Sequence, residues 1–248
     1  MKIELRLGGS GGQGIILTGI ILAEAAISMG KNAIQSQSYG PEARGGASKS
    51  EIIVSDKEIY FTKVNKPNLF LALTQDAYDK YNKEVVQGGI CVLDDGIRTG
   101  TEVVGRTIYK LPIVQTATEE VGRAMVTNIV ALGILSEVMT TLDTEAIKEA
   151  MLHRIPKGTE EINLRAFEAG IKLIRDLLES RYEDGKDQKK KPSRDKLFGR
   201  TGLESEVAIK SANYLSEKTA LEEADHPADK DPNKLPQIYT KQTGMNYE

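Results

Sequence analysis

Apolar and polar positions alternate from the first residues of the chain. Ile3, Leu5 and Leu7 are separated by Lys2, Glu4 and Arg6, the period of two that predicts a strand with one buried face. After a glycine-rich stretch the period changes. Ile15, Ile16, Leu17, Ile20, Ile21, Leu22, Ala25 and Ala26 recur at helical spacing until Met29-Gly30 ends the run. Residues 31–35 predict a second strand, so residues 2–36 are expected to form a βαβ unit with a right-handed crossover. Residues 50–54 and 59–61, with a turn at 55–58, predict a hairpin.

Residues 68–73 and 90–93 are almost continuously apolar, the pattern of strands buried on both faces of a parallel sheet. A helical pattern at 75–86 lies between them, and 106–111 reads as another strand closed by Pro112. From Ala117 the chain turns helical, with helices predicted at 118–122, 127–139, 143–152 (N-capped by Asp143) and 159–181. Asn128 stands before an apolar run and is read as a helix cap in preference to a bond with a neighbouring loop. Strands alternating with helices predict an α/β fold, a doubly wound Rossmann-like sheet flanked by helices, with ligands beyond the carboxyl ends of the strands. Residues 8–14 and Thr74-Gln75-Asp76 fall at such ends.

Beyond Arg181 the pattern fades. Residues 183–196 are a charged run containing Lys189-Lys190-Lys191-Pro192, one helix is predicted at 204–221, and His226-Pro227, Asp231-Pro232 and Leu235-Pro236 break the end. The expected organisation is an α/β domain over 1–181 and a charged linker with an extended arm over 182–248, loose alone or lying on a partner.

Composition narrows the function classes. The 248 residues are 40% hydrophobic and 28% charged with a net charge of −3, so no polyanion-binding excess points to nucleic acid. A single cysteine, Cys91, gives neither a disulfide framework nor a cysteine-ligated metal or iron–sulfur site. The two histidines, His153 and His226, read as surface or helix-end residues. No apolar run approaches the roughly 20 residues that span a bilayer, and the N-terminus has no signal-peptide pattern. A reducing cytoplasm fits.

Chemistry concentrates at Gly8-Gly9-Ser10-Gly11-Gly12-Gln13-Gly14. Between a strand and a helix, Gly9, Gly11, Gly12, Gln13 and Gly14 form a turn whose backbone N–H groups, with the positive end of the helix, suit an anion. Gly9-x-Gly11-x-x-Gly14 satisfies the dinucleotide fingerprint, but Ala33-Ile34-Gln35-Ser36-Gln37-Ser38 offers no acid for a ribose hydroxyl, which disfavours NAD. No Gly-Lys-Ser/Thr follows, so the turn is not a Walker loop. A second block, Tyr39, Gly40, Pro41, Glu42, Ala43, Arg44, Gly45 and Gly46, mixes an aromatic, a carboxylate and a guanidinium among turn residues. Arg44, flanked by Gly45-Gly46, is expected to extend a guanidinium toward a phosphate or carboxylate.

These two blocks, with Asn128-Ile129-Val130-Ala131-Leu132-Gly133, resemble in order and spacing the gamma subunit of the 2-oxoacid:ferredoxin oxidoreductases, over about residues 1–180. Lys66-Pro67-Asn68 departs from the family's frequent Pro-Asp. The resemblance implies a subunit, inactive alone, of a complex that converts a 2-oxoacid and coenzyme A to acyl-CoA, carbon dioxide and reduced acceptor. It implies thiamine diphosphate and magnesium in alpha and beta subunits, and iron–sulfur clusters in beta or a ferredoxin-like subunit, with ferredoxin as acceptor. This chain is expected to help bind coenzyme A, at Gly9, Gly11, Gly12, Gln13, Gly14 and Arg44, and to enclose the thiamine site. Tyr39, Gly40, Pro41, Glu42, Gly45 and Gly46 would shape a loop facing the neighbouring subunit. Rival readings are a subunit of an aromatic 2-oxoacid oxidoreductase (indolepyruvate or phenylglyoxylate type), a free-standing nucleotide-binding sensor, and a purely structural assembly subunit.

Overall fold

The computed structural model describes residues 1–38, 46–100, 104–184 and 237–239. In chain order these form β1 (Lys2–Ser10), α1 (Ile15–Ser28), β2 (Asn32–Ser38), β3 (Ala47–Ser55), β4 (Leu69–Ala72), α2 (Gln75–Tyr81), β5 (Ile90–Asp94), β6 (Thr107–Leu111), α3 (Ile113–Gln115), α4 (Thr127–Val138), α5 (Thr144–Arg154), α6 (Glu160–Asp184) and β7 (Gln237–Tyr239). One sheet has the order β6-β5-β4-β1-β3-β2-β7. β1, β4, β5 and β6 are parallel, whereas β3 runs antiparallel to both β1 and β2.

The α/β class is as expected, but the sheet is mixed, and the simple βαβ unit over 2–36 is corrected. β2 runs in the direction of β1 without pairing with it, because β3 is inserted between them in a nine-pair ladder from Lys2↔Ser55 to Ser10↔Ala47. The expected hairpin at 50–61 is also corrected. Both edges of β3 are taken, so residues 59–61 find no strand to pair with and leave Tyr60 80% and Phe61 59% exposed. The turn after β3 is fixed by Asp56, whose carboxylate accepts from Lys31 (2.7 Å) and the N-terminal ammonium (2.8 Å). Those partners hold its pKa down at about 2.

Helices cover both faces of the sheet. α1, α4, α5 and α6 share one core with Ile3, Leu5, Leu7, Ile52, Leu71 and Val92, while α2 covers Phe70, Ala72, Cys91 and Leu93 on the other side. Every residue of α4 is buried. It can lie that deep because Gly133 of α4 and Gly170 of α6 let the two backbones meet: a Cβ on either would strike a carbonyl of the other helix. Asp143 caps α5 as expected, accepting from the Glu145 N–H.

Two helical boundaries move. α2 stops at Tyr81 and tightens into a 3₁₀ turn, because Asn82 donates to the Tyr78 carbonyl and Arg106 takes the Asn82 and Val85 carbonyls (2.7 and 2.9 Å). The segment expected to start at 118 begins at Ile113, where Asp94 accepts from the Val114 N–H, and widens to a π turn over Thr116–Glu120.

β1 is buried on both faces, not one. Its even positions point toward α2, and there Arg6 is only 2% exposed. Arg6 donates through Nε to Glu51 on β3 (2.7 Å), through Nη2 to the Val64 carbonyl (2.6 Å), and through Nη1 to Glu84, with its guanidinium 5.9 Å from the Tyr81 ring centre. Lys49 pairs with the same Glu51 (3.0 Å).

The arm expected over 182–248 lies outside the described residues except for the last turn of α6 and β7. The helix expected at 204–221 falls outside them too, as does His226. β7 adds to β2 antiparallel, with Ile34 opposite Ile238.

Candidate functional site

β1 carries its last residues, Gly8, Gly9 and Ser10, to the carboxyl end of the sheet, and the chain turns there into α1. The turn is locked from within. The Ser10 N–H donates to Gln13 Oε1 (2.8 Å), and the Gln13 N–H donates back to the Ser10 carbonyl (3.2 Å). Gln13 is thus a brace, and Gly9, Gly11, Gly12 and Gly14 are gathered around it.

Gly12 and Gly14 are glycine for different reasons. Gly12 has φ 92° and nothing near the place where a Cβ would stand, so positive φ demands the glycine and its outer surface is bare backbone. Gly14, φ 71°, occupies the N-cap position of α1, and a Cβ on it would lie 2.6 Å from Asn128 Nδ2.

Asn128 is therefore not the expected cap. α4 has Val126 at its N-cap without a side-chain bond, while Thr127 Oγ1 donates to the Ala124 carbonyl and closes the preceding turn. Asn128, 4% exposed, instead donates through Nδ2 to the Gly14 carbonyl (3.4 Å). Thr18 Oγ1 lies between, 3.4 Å from the carbonyls of both Gly14 and Asn128. The sequence carries no signal for Thr18, because a threonine inside a helix gives no sign of a bond made outside it.

The electrostatics favour an anion. The first N–H groups of α1 have no intrahelical partner by geometry, no acidic side chain lies in its first turn, and Gly11 and Gly12 are exposed. The partial positive charge of the helix end is left for a ligand.

The second block begins and ends at the same end of the sheet. Ser38, before it, pairs with Lys49, and Gly46, after it, adjoins Ala47, the partner of Ser10. Tyr39, Gly40, Pro41, Glu42, Arg44 and Gly45 lie outside the described residues. The block's base is braced by Tyr81, whose hydroxyl donates to the Ala47 carbonyl (3.3 Å) and whose pKa burial pushes up. Beside the turn, Thr74 caps α2 and Gln75 bonds both the N–H (2.8 Å) and the carbonyl (3.1 Å) of Arg98, tying together the chain beyond β4 and β5. Cys91 is buried in β5, its pKa raised to about 11 by desolvation, and takes no part in the site. His153 is exposed in the last turn of α5. Among the described residues no helix is long and apolar enough to cross a membrane.

The chain is similar in sequence and in overall fold to known proteins. The chain is 46% identical over 180 residues to the 2-oxoglutarate synthase subunit KorC of Methanocaldococcus jannaschii, a match covering 71% of this chain and 96% of that subunit. A solved keto/oxoacid ferredoxin oxidoreductase gamma subunit from Geobacter sulfurreducens superposes with a TM-score of 0.64 at 42% identity, over 70% of this chain and 97% of that one. A 2-oxoglutarate:ferredoxin oxidoreductase from Magnetococcus marinus, solved with 2-oxoglutarate, coenzyme A and succinyl-CoA bound, superposes with a TM-score of 0.65 at 26% identity, over 71% of this chain and 31% of that one. Residues 4–173, which contain the glycine turn, Asn128 and both faces of the sheet, match the pyruvate ferredoxin/flavodoxin oxidoreductase family, and to that family this chain belongs.

Proposed function

We propose that this chain is the gamma subunit of a 2-oxoacid:ferredoxin oxidoreductase acting on 2-oxoglutarate, and that its glycine turn receives a phosphate of coenzyme A. One observation carries the substrate assignment: identity of 46% along 96% of a 2-oxoglutarate synthase subunit. It weighs against the aromatic-2-oxoacid reading and against a free-standing nucleotide sensor. The assembled enzyme would convert 2-oxoglutarate and coenzyme A to succinyl-CoA and carbon dioxide, passing two electrons to ferredoxin or a ferredoxin-like subunit. Thiamine diphosphate and magnesium would sit in alpha and beta subunits, and iron–sulfur clusters in beta or the ferredoxin-like subunit. The thiamine cofactor supplies the carbon–carbon bond chemistry.

This chain's residues bind and orient. The exposed backbone of Gly11 and Gly12 offers N–H donors to a phosphate without a side chain in the way, while the Gln13 N–H is committed to the Ser10 carbonyl. Gln13 and Asn128 hold the turn at Ser10 and Gly14, so the donors do not reorganise when the ligand arrives. Arg44 is assigned a second phosphate or a partner's carboxylate, and Tyr39, Gly40, Pro41, Glu42, Gly45 and Gly46 the wall against the neighbouring subunit that excludes water. Residues 1–181 form the docking domain and 182–248 an appended arm.

Affinity purification of the chain from its native host, followed by viologen-dye reduction assays with a panel of 2-oxoacids, tests the proposal. Co-purifying thiamine and iron–sulfur subunits whose activity requires coenzyme A and is highest with 2-oxoglutarate is the expected result. A lone chain without activity contradicts it, and activity highest with another acid refutes the substrate assignment alone.

A further inference from the structure

The two edges of the sheet are guarded differently. At β6 the outer edge is covered by α6: Arg181 donates through Nη2 to the Ile108 carbonyl (2.9 Å) and lies over the Tyr109 ring, and Lys110 is exposed beside it. Backbone capping and a lysine are ways in which proteins stop an edge strand from recruiting another chain.

β2, at the other side, has none of these devices. Its seven residues, Asn32-Ala33-Ile34-Gln35-Ser36-Gln37-Ser38, contain no charge and no proline, and its ladder with β3 runs in unbroken register from Asn32↔Ser55 to Ser38↔Lys49, without a bulge. Such a strand is a template for pairing. Among the described residues its outer edge meets one element, β7, in the register Ala33↔Tyr239, Ile34↔Ile238 and Gln35↔Gln237. β7 lies outside residues 4–173, which match the family, and about 70% of this chain already accounts for 96–97% of KorC from Methanocaldococcus jannaschii and of the Geobacter gamma subunit.

We propose that the C-terminal extension carries a built-in edge strand, Gln237–Tyr239, which folds back within the same chain and occupies the β2 edge that a second copy would otherwise pair with. Residues 185–236 supply the connection, and loop closure grows only slowly more costly with length, so a long connection does not forbid the pairing. The occupant is recognised through backbone N–H and carbonyl groups. Three pairs make a short strand, so the cap opens without unfolding the domain.

Hydrogen exchange read by mass spectrometry on the full-length chain, following the peptide that contains residues 32–38, tests this. Successive N–H groups of a strand point to opposite edges, so Gln237→Pro with Ile238→Pro removes whichever donor faces β2, while Gln237→Ala with Ile238→Ala keeps both. At low protein concentration the proline pair is expected to speed exchange in 32–38 by about ten-fold or more, with the alanine pair close to wild type and the remaining peptides unchanged. Equal exchange in wild type and the proline pair overturns the proposal. Wild-type protection that rises with protein concentration overturns the intramolecular assignment and makes the occupant a second copy. The assay needs neither coenzyme A nor partner subunits, so its failure is separate from failure of the functional proposal.

Discussion

β1 has two faces built on opposite principles, and the glycine turn hangs from their common end. Toward α1, the side chains Ile3, Leu5 and Leu7 are 2% exposed or less and belong to the large apolar core. Toward α2, Glu4 and Arg6 are almost as deeply buried, but Arg6 is held by two carboxylates, a carbonyl and an aromatic ring. The first face is stabilised by removing hydrocarbon from water, which tolerates approximate packing. The second is stabilised only when every partner is present, because a lone buried charge is costly. The two faces therefore fail differently.

The largest effect is expected from Arg6→Ala, which strands Glu51 with Lys49 alone and should cost about 3–5 kcal/mol. Denaturant unfolding checks it, and the double variant Arg6→Met with Glu51→Met should recover most of the loss, since apolar pairs of similar volume often replace buried ion pairs without penalty. On the opposite face, Leu5→Ala should cost about 3 kcal/mol, and that loss should stay the same from pH 5 to pH 8 and across salt concentrations. A pH-dependent Leu5→Ala penalty would break the distinction between the faces.

A smaller loss, about 1 kcal/mol, is expected from Asn128→Ala, which leaves the Gly14 carbonyl without its side-chain donor. Thermal unfolding should drop by roughly 2–4 °C, the conversion for a chain of this size. Smallest is Asp56, which lies at the far end of β1, half exposed. Its folded pKa of about 2 is below the ordinary 3.8. Its contribution is thus fully present above pH 4 and lost as the pH falls through about 2. Asp56→Asn should lower the melting temperature slightly at neutral pH, and the gap to wild type should close toward pH 2.

Much of this fold was legible because hydrophobic periodicity marks whatever is buried by hydrocarbon. The α1-facing side of β1, the buried runs of β4 and β5 and α4 all follow from it, and the Asp143 cap follows from the preference of a short carboxylate for a helix start. The α2-facing side did not, since Arg6 and Glu4 in alternation with isoleucine and leucine are the pattern of a solvated face, and only the third dimension brings Glu51, Glu84 and Tyr81 to Arg6. The insertion of β3 between β1 and β2 was hidden for a similar reason: strand order depends on pairings between distant segments, and residues 59–61, apolar enough for a strand, lost their place to an edge already filled. At the site, the turn and its glycines were readable from spacing. The bond from Asn128 to Gly14 spans 114 positions, and an asparagine at the start of an apolar helical run looks the same whether it caps that helix or donates to a distant loop.

The central claim is that bare backbone at Gly12 faces a phosphate of coenzyme A. Gly12→Asp places a carboxylate where nothing else stands, in a left-handed conformation that aspartate accepts better than most residues. The decisive measurement is coenzyme A dependence of 2-oxoacid oxidation by the complex purified with this variant. The account predicts a KM for coenzyme A raised about ten-fold or more, with the KM for the 2-oxoacid and the melting temperature unchanged. An unchanged KM for coenzyme A would contradict it and leave the turn a purely structural joint between β1 and α1.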